Sequence, residues 1–275
     1  MERTGIETNF GIVLTDVDGT LLASDHRPCP DSLATIREVV AAGVPFVLVS
    51  GRYPDALYPV QEQLGIHGPL VAYSGALALD GDGEVLLSRT LDLDRAIELK
   101  ELAAAEFPEL CCCGFGFHTW VVDDCLDPRV VREERVVHAT CREEPLDIAL
   151  ADTQCLHKLL FMGEPDPIAR VQERLSAAYP DLTVVLSSPH LCEVMAGGVS
   201  KAEGVRVMCE HYGVDVSRAV VFGDSFNDIE MLRAVPQSYA MANAPQGVKA
   251  QASHVTQYSN DENGLARELE GLLVR

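Results

Sequence analysis

Two aspartates set one residue apart, Asp16 and Asp18, follow the apolar run Phe10-Gly-Ile-Val-Leu-Thr15 and lead into Gly19. Alternate side chains of a strand point the same way, so the spacing predicts two carboxylates converging on one point as the strand runs out, with Gly19 allowing a tight turn. Converging carboxylates select a cation. A calcium loop does not fit. With Gly19 at the obligatory glycine position the first ligand falls on Leu14; with Asp16 as first ligand, the glycine position falls on Leu21 and the final carboxylate on Arg27.

The same architecture recurs near the carboxyl end. Arg218-Ala-Val-Val-Phe222 breaks at Gly223 into the acidic turn Asp224-Ser-Phe-Asn227-Asp228 and then an amphipathic pattern. A capped helix explains Asn227 and Asp228 but leaves Asp224 without a local reason. Asp16, Asp18 and Asp224 together suit Mg²⁺, which takes few carboxylates and keeps waters and substrate phosphate as its other ligands. Between the two acidic segments, Ser200 and Glu203 have capping-box spacing, which predicts a helix with Lys201 in its first turn. A helix amino terminus attracts anions, and the lysine adds a full charge to the partial one.

These residues need a frame, and the chain supplies an alternation of strands and helices. Asp31 or Ser32 begins a helix that runs to Ala42 and stops at Gly43; Pro45-Phe-Val-Leu-Val49 reads as a buried parallel strand ending in Ser50-Gly51-Arg52; Pro69-Leu-Val-Ala-Tyr73 ends in Ser74-Gly75. In open α/β sheets ligands sit at the carboxyl ends of strands, so this repeated punctuation predicts one shared site. From about Gly81 the texture changes to helices over Asp94 to Glu106 and Pro167 to Ala178, with strands near Cys111 to Cys113, Trp120 to Val122, Leu156 to Met162 and Leu182 to Leu186. We therefore expect an inserted α+β domain over 82–188 and a Rossmann-like parallel core over 1–81 and 189–275, resuming with Leu191-Cys-Glu-Val-Met195.

Composition bounds the partners. With 275 residues, 47% of them hydrophobic, the chain suffices for one or two domains. A formal charge of -21 with only four lysines argues against nucleic acid and anionic membranes, which require clustered Lys and Arg. In the insert, acidic residues outnumber basic ones by 21 to 10, which disfavours a large polyanionic ligand. No apolar stretch approaches the roughly 20 residues needed to span a bilayer, and Met1-Glu-Arg-Thr-Gly-Ile-Glu is too polar for a signal peptide, so a cytoplasmic location is expected. Nine cysteines lack paired metal-ligand spacing and read as reduced, mostly buried small hydrophobes, the run Cys111-Cys112-Cys113 included.

Asp16-Val-Asp18-Gly-Thr-Leu-Leu, Ser50-Gly-Arg52, Lys201 and Gly223-Asp224-Ser-Phe-Asn227-Asp228 resemble, in order and spacing, the four motifs of the haloacid dehalogenase superfamily. The resemblance is to its Cof-like branch, in which a large α/β cap is inserted after the third core strand. It implies a Mg²⁺-dependent phosphatase for a small phosphorylated metabolite. In that reading Asp16 is the nucleophile that becomes an aspartyl phosphate. Asp18 is acid and then base, and offers its backbone carbonyl to the metal. Ser50, Gly51, Lys201 and Asn227 contact the phosphoryl group or its loop, Asp224 is a metal ligand, and Asp228 is a ligand through water or a brace. Arg52 and Ser74 from the core, with His118, Trp120 and Lys158 from the insert, are candidate substrate contacts. Relatives usually carry Asn-Gly where this chain has Ser74-Gly75, which shortens or removes a hydrogen bond near the leaving group.

Two other readings use similar residues. A phosphomutase would return the phosphoryl group to a sugar rather than to water. A receiver-like signalling module also combines carboxylates, Mg²⁺, a Ser or Thr and a Lys, but needs neither an acid two residues past the phospho-acceptor nor a hundred-residue lid. Residue types alone do not identify the substrate or the oligomeric state.

Overall fold

The computed structural model describes residues 7–274, so the polar amino-terminal stretch up to Ile6 lies outside the described residues. The chain divides into two compact units: Met1–Ser50, Leu57–Leu87 and Ser200–Arg275 form one, and Gly51–Ala56 with Ser88–Val199 form the other.

The first unit is built on eight strands, β1 (Ile12–Thr15), β2 (Phe46–Val49), β3 (Leu70–Ala72), β4 (Leu77–Leu79), β5 (Val85–Ser88), β6 (Ala219–Gly223), β7 (Gln237–Ala240) and β8 (His254–Val255). Their order across the sheet is β8-β7-β6-β1-β2-β3-β4-β5. Neighbours from β8 through β3 are parallel, and β4 turns back antiparallel on β3. Every residue of β1, β2 and β6 is buried, and their Ile, Val, Leu and Phe content is what a parallel strand covered on both faces requires. The helix Lys201–His211 contributes Val205, Met208 and Cys209 to one covering layer, with Met231 and Leu232 from Ile229–Ala234. From β1 the sheet grows one way through β2 and β3 and the other way through β6 and β7. The β1/β6 pair is therefore a topological switch point, and the residues following β1, β2, β3 and β6 emerge along one edge.

The second unit holds a six-stranded sheet ordered Arg142–Glu143, Thr119–Val122, Cys111–Gly116, Lys158–Met162, Leu191–Ala196, Leu182–Ser188. All its neighbours are antiparallel except the edge pair Arg142–Glu143 and Thr119–Val122. Helices Leu93–Glu106 and Pro165–Ala178 bury Leu93, Ala96, Leu99, Ile168, Val171 and Leu175 against Leu159, Phe161 and Val194. The opposite face of the sheet carries Phe115, Trp120, Lys158 and Glu193, and receives the segment Gly51–Ala56: Tyr53 packs 5.7 Å from the Phe115 ring and 6.2 Å from Trp120.

The expected domain limits shift accordingly. Leu191–Ala196 is not a core strand; it lies antiparallel between Lys158–Met162 and Leu182–Ser188. An apolar run bounded by turn residues looks alike in a parallel core and inside an antiparallel sheet, because both bury two faces. At the other end Val85–Ser88 extends the core sheet. Among the described residues no helix is long and apolar enough to cross a membrane.

Candidate active site

Lys201 is the centre of the site. Its helix starts at Ser200, whose Oγ accepts the Glu203 N–H at 3.4 Å as the capping pattern predicts. From this first turn the ammonium reaches Asp16 Oδ1 and Asp228 Oδ1, each at 2.6 Å. All three side chains are buried: Lys201 is 1%, Asp16 6% and Asp228 0% exposed. Burial pulls the lysine pKa down, but the two carboxylates outweigh it and hold it above the ordinary lysine value. Burial first, then the charges of Asp228 and Asp224, raise the Asp16 carboxyl well above its usual range, against the pull of Lys201. Lys201 is what favours ionised Asp16 there.

The β6 turn is braced from within. Asp228 Oδ2 accepts the backbone N–H groups of Asp224 at 2.9 Å and Ser225 at 2.8 Å, so both of its oxygens are engaged. Thr20 Oγ1 donates to Asp224 Oδ1 at 2.7 Å. Burial and the Asp228 charge push the Asp224 carboxyl up to about 6 against that hydrogen bond. Gly19, at φ +79°, makes the approach possible: a Cβ there would stand 2.5 Å from Asp224 Oδ2. Gly75 plays the corresponding part for the lysine helix. At φ +108° it packs on the Ser200 carbonyl, which a Cβ would approach to 2.0 Å.

The remaining core residues separate. Asp16, Asp224 and Asp228 each offer an oxygen within 4.8 Å of the others, but the Asp18 carboxylate stands outside this group. It is partly exposed, with Oδ1 3.4 Å from His26 Nδ1. The expected convergence of Asp16 and Asp18 fails because β1 ends at Thr15. The chain turns at once, with the Leu21 and Leu22 N–H groups both directed to the Val17 carbonyl, so two-residue alternation no longer governs Asp18. Ser50 is 2% exposed and its carbonyl accepts the Ser74 N–H at 2.9 Å, which links the ends of β2 and β3. Ser74 itself is left-handed at φ 55°. Asn227 presents a buried Oδ1 without a hydrogen-bond partner among the described residues. Thr20 and His26 were not singled out by sequence reasoning; Thr20 sits inside the Asp-Gly-Thr motif, which was the available signal, and His26 had none.

The other expected contacts lie in the second unit, each described within it. Lys158 does not present a free ammonium: it is 4% exposed, pairs with Glu193 at 3.2 Å, and donates to the Gly51 carbonyl at 2.7 Å. Trp120 is 2% exposed and stacks on Phe115 with centroids 5.5 Å apart, as a core residue does. His118 Nδ1 lies 2.7 Å from Asp55 Oδ1, and Arg52 donates to the Ala56 carbonyl at 3.5 Å.

The donor set fits a divalent cation. Buried Asp16 and Asp228 and half-buried Asp224 cluster around one ammonium, and burial first, with the neighbouring carboxylate charges second, raises the Asp16 and Asp224 carboxyls, a strain that a cation would relieve. Asp228 already accepts three hydrogen bonds, whereas Asp16 and Asp224 each keep an oxygen without one of those bonds, so these two are the better candidates to hold such an ion.

Residues 13–269 match the family model of the haloacid dehalogenase-like hydrolases. The chain belongs to that family. It is 33% identical over 263 residues, 95% of this chain and 97% of the other, to a Haemophilus influenzae protein named "Putative phosphatase". An HMP-PP phosphatase of Serratia proteamaculans is 26% identical over 88% of this chain and 87% of its own. The crystal structure of a haloacid dehalogenase-like hydrolase from Bacteroides thetaiotaomicron superposes with a TM-score of 0.85 at 26% identity, covering 95% of this chain and 99% of that one. This hydrolase is thus an enzyme of the family's phosphatase type, with the family's fold.

Proposed function

We propose that this hydrolase removes the phosphoryl group from a small phosphorylated metabolite, a sugar phosphate or similar phosphomonoester, through an aspartyl phosphate on Asp16, with Mg²⁺ as its cation. The observation that carries the reading is the buried node at the end of β1, where Lys201 bonds Asp16 and Asp228 together. A carboxylate buried beside like charges and still tied to an ammonium is arranged as a nucleophile rather than as a solvated surface group.

In the first step an Asp16 oxygen forms a bond to phosphorus while the bond from phosphorus to the leaving alcohol oxygen breaks. Asp18, partly exposed and outside the carboxylate group, protonates that alcohol. In the second step Asp18 takes a proton from water, the water oxygen attacks phosphorus, and Asp16 is released with inorganic phosphate. Lys201, Ser50 with the adjoining Gly51 peptide, and Asn227 hold the phosphoryl oxygens and their loop. Asp16, Asp224 and the Asp18 carbonyl would hold Mg²⁺, and Asp228 braces the turn that carries Asp224. Bound there, Mg²⁺ would neutralise charge on the transferring group. The second unit serves as the lid of the family, and its acidic balance favours small substrates over large polyanions.

A screen of phosphorylated metabolites with Mg²⁺, read as free phosphate, tests the reading. Release from one substrate class, abolished by chelation, supports it. Isomer formation without phosphate release would make the enzyme a mutase, and a phosphorylated chain stable for minutes without turnover would make it a receiver-like module.

A further inference from the structure

Nine cysteines are half-buried or buried, and in the second unit Cys125 and Cys141 meet from two separate segments of the chain. Cys125 lies in the turn that follows Thr119–Val122, and Cys141 immediately precedes Arg142–Glu143. The helix Pro128–Val137 lies between them, yet the chain returns so that the two sulfurs are 2.9 Å apart. We propose that Cys125 and Cys141 form a dithiol modification site that a small-molecule disulfide of the oxidised-glutathione class closes to a protein disulfide.

Three features support this beyond the sulfur contact. Each cysteine's backbone is fixed by a carboxylate from the neighbouring structure: Cys125 N–H donates to Glu143 Oε2 at 3.1 Å, and Cys141 N–H donates to Glu134 Oε1 at 2.9 Å. The two segments are therefore held together by polar contacts before any covalent bond, which limits the rearrangement that bridging demands. Both thiols are half-buried rather than sealed, and Asp123, Asp124, Leu126, Arg142 and Glu143 around them are exposed, so a small oxidant has access. The site also sits where a fastening has an effect, because Arg142–Glu143 is an exposed two-residue edge strand joined to the sheet through Val121 and Val122.

The chemistry balances as two thiol–disulfide exchanges. The Cys125 thiolate attacks one sulfur of the small disulfide, whose S–S bond breaks and releases one thiolate, giving a mixed disulfide. Cys141 then loses its proton to the solvent and attacks the Cys125 sulfur, expelling the second small thiolate. The protein loses two protons and two electrons, and the oxidant takes up both to become two thiols. Burial, with the Cys125 and Glu134 contacts, raises the Cys141 thiol above its ordinary value, which suits it to the second step rather than the first.

The full chain is equilibrated with mixtures of reduced and oxidised glutathione, quenched by alkylation, and mapped by peptide mass spectrometry without reduction. The expected result is one bridge joining the Cys125 and Cys141 peptides, two fewer titratable thiols than the nine of the reduced chain, and a Tm raised on the order of 5 °C that reductant reverses. Cys125→Ser and Cys141→Ser should each abolish both changes; Cys125→Ala replaces the first if it folds poorly. Alkylation of both cysteines in fully oxidised buffer, a lasting glutathione adduct without closure, or bridging spread over other cysteines would overturn the proposal.

Discussion

Replacing Lys158 by Met should destabilise the protein by about 3–5 kcal/mol, because it strands a buried carboxylate. The magnitude follows from the geometry. Lys158 and Glu193 are both 4% exposed, with Nζ and Oε1 3.2 Å apart. At an effective dielectric constant near 20 their attraction is ~5 kcal/mol, most of it offset in the intact protein by the desolvation of both groups. Removing one partner abolishes the attraction but leaves Glu193 desolvated. The ammonium also lies 5.0 Å from the Phe115 ring and bonds the Gly51 carbonyl, so the cost falls at the upper part of the range. Removing both charges, as Lys158→Met with Glu193→Leu, should bring stability back to within about 1 kcal/mol of the parent. Equilibrium urea unfolding of the three proteins at pH 7 makes the comparison, with unchanged m-values required for it to hold. A single variant that costs less than about 1 kcal/mol, or a double variant as unstable as the single, would refute the reasoning. Both variants deprive Gly51, the residue after Ser50, of its donor, so a KM increase common to both would report that segment separately from stability.

Three further outcomes follow from other parts of the structure. The Phe117 N–H donates to His157 Nδ1 at 3.1 Å, which leaves the proton on Nε2 facing Ser88 Oγ, and burial pushes the imidazole pKa down to about 4. Its unfolded form binds a proton first, so its contribution is complete above pH about 6.5 and is lost as pH falls toward 4; between pH 7 and 4.5 the parent should lose about 2–3 kcal/mol more than His157→Gln, and equal acid losses in urea unfolding would contradict this. Gly75→Ala must carry a side chain at φ +108° against the Ser200 carbonyl, so it should lower stability by at least about 1–3 kcal/mol and reduce turnover by displacing the start of the Lys201 helix, both measurable on the purified variant. Thr20→Val removes the donor to Asp224 while keeping shape, so the Mg²⁺ concentration for half-maximal activity should rise about tenfold with little loss in Tm.

How much of this was legible beforehand depended on the range of the interaction. The strands, the helix beginning at Lys201 and the approach of Asp16 to Asp224 rest on local pattern and on the rule that parallel strands share a carboxyl edge, and these emerged from residue types in order. Asp18 shows the limit of local pattern: its place in a two-residue alternation was correct only while the strand lasted, and β1 stops at Thr15. Leu191–Ala196 was placed in the wrong sheet because burial on both faces does not say which neighbours supply it. Lys158 reads from the sequence only as a candidate substrate contact; its partners Glu193 and Gly51 are 35 and 107 residues away, and nothing local announces them. Thr20 was hidden for the same reason, since its hydrogen bond to Asp224 spans 204 residues.

In the proposed mechanism Asp16 carries the phosphoryl group between substrate and water. Acid quench of the enzyme during turnover of a radiolabelled phosphomonoester with Mg²⁺, followed by peptide mapping, measures it directly. A hydroxylamine-labile label on Asp16 is expected, absent from Asp16→Asn together with turnover. Sustained phosphate release by a correctly folded Asp16→Asn protein, or label on any other residue, would contradict it.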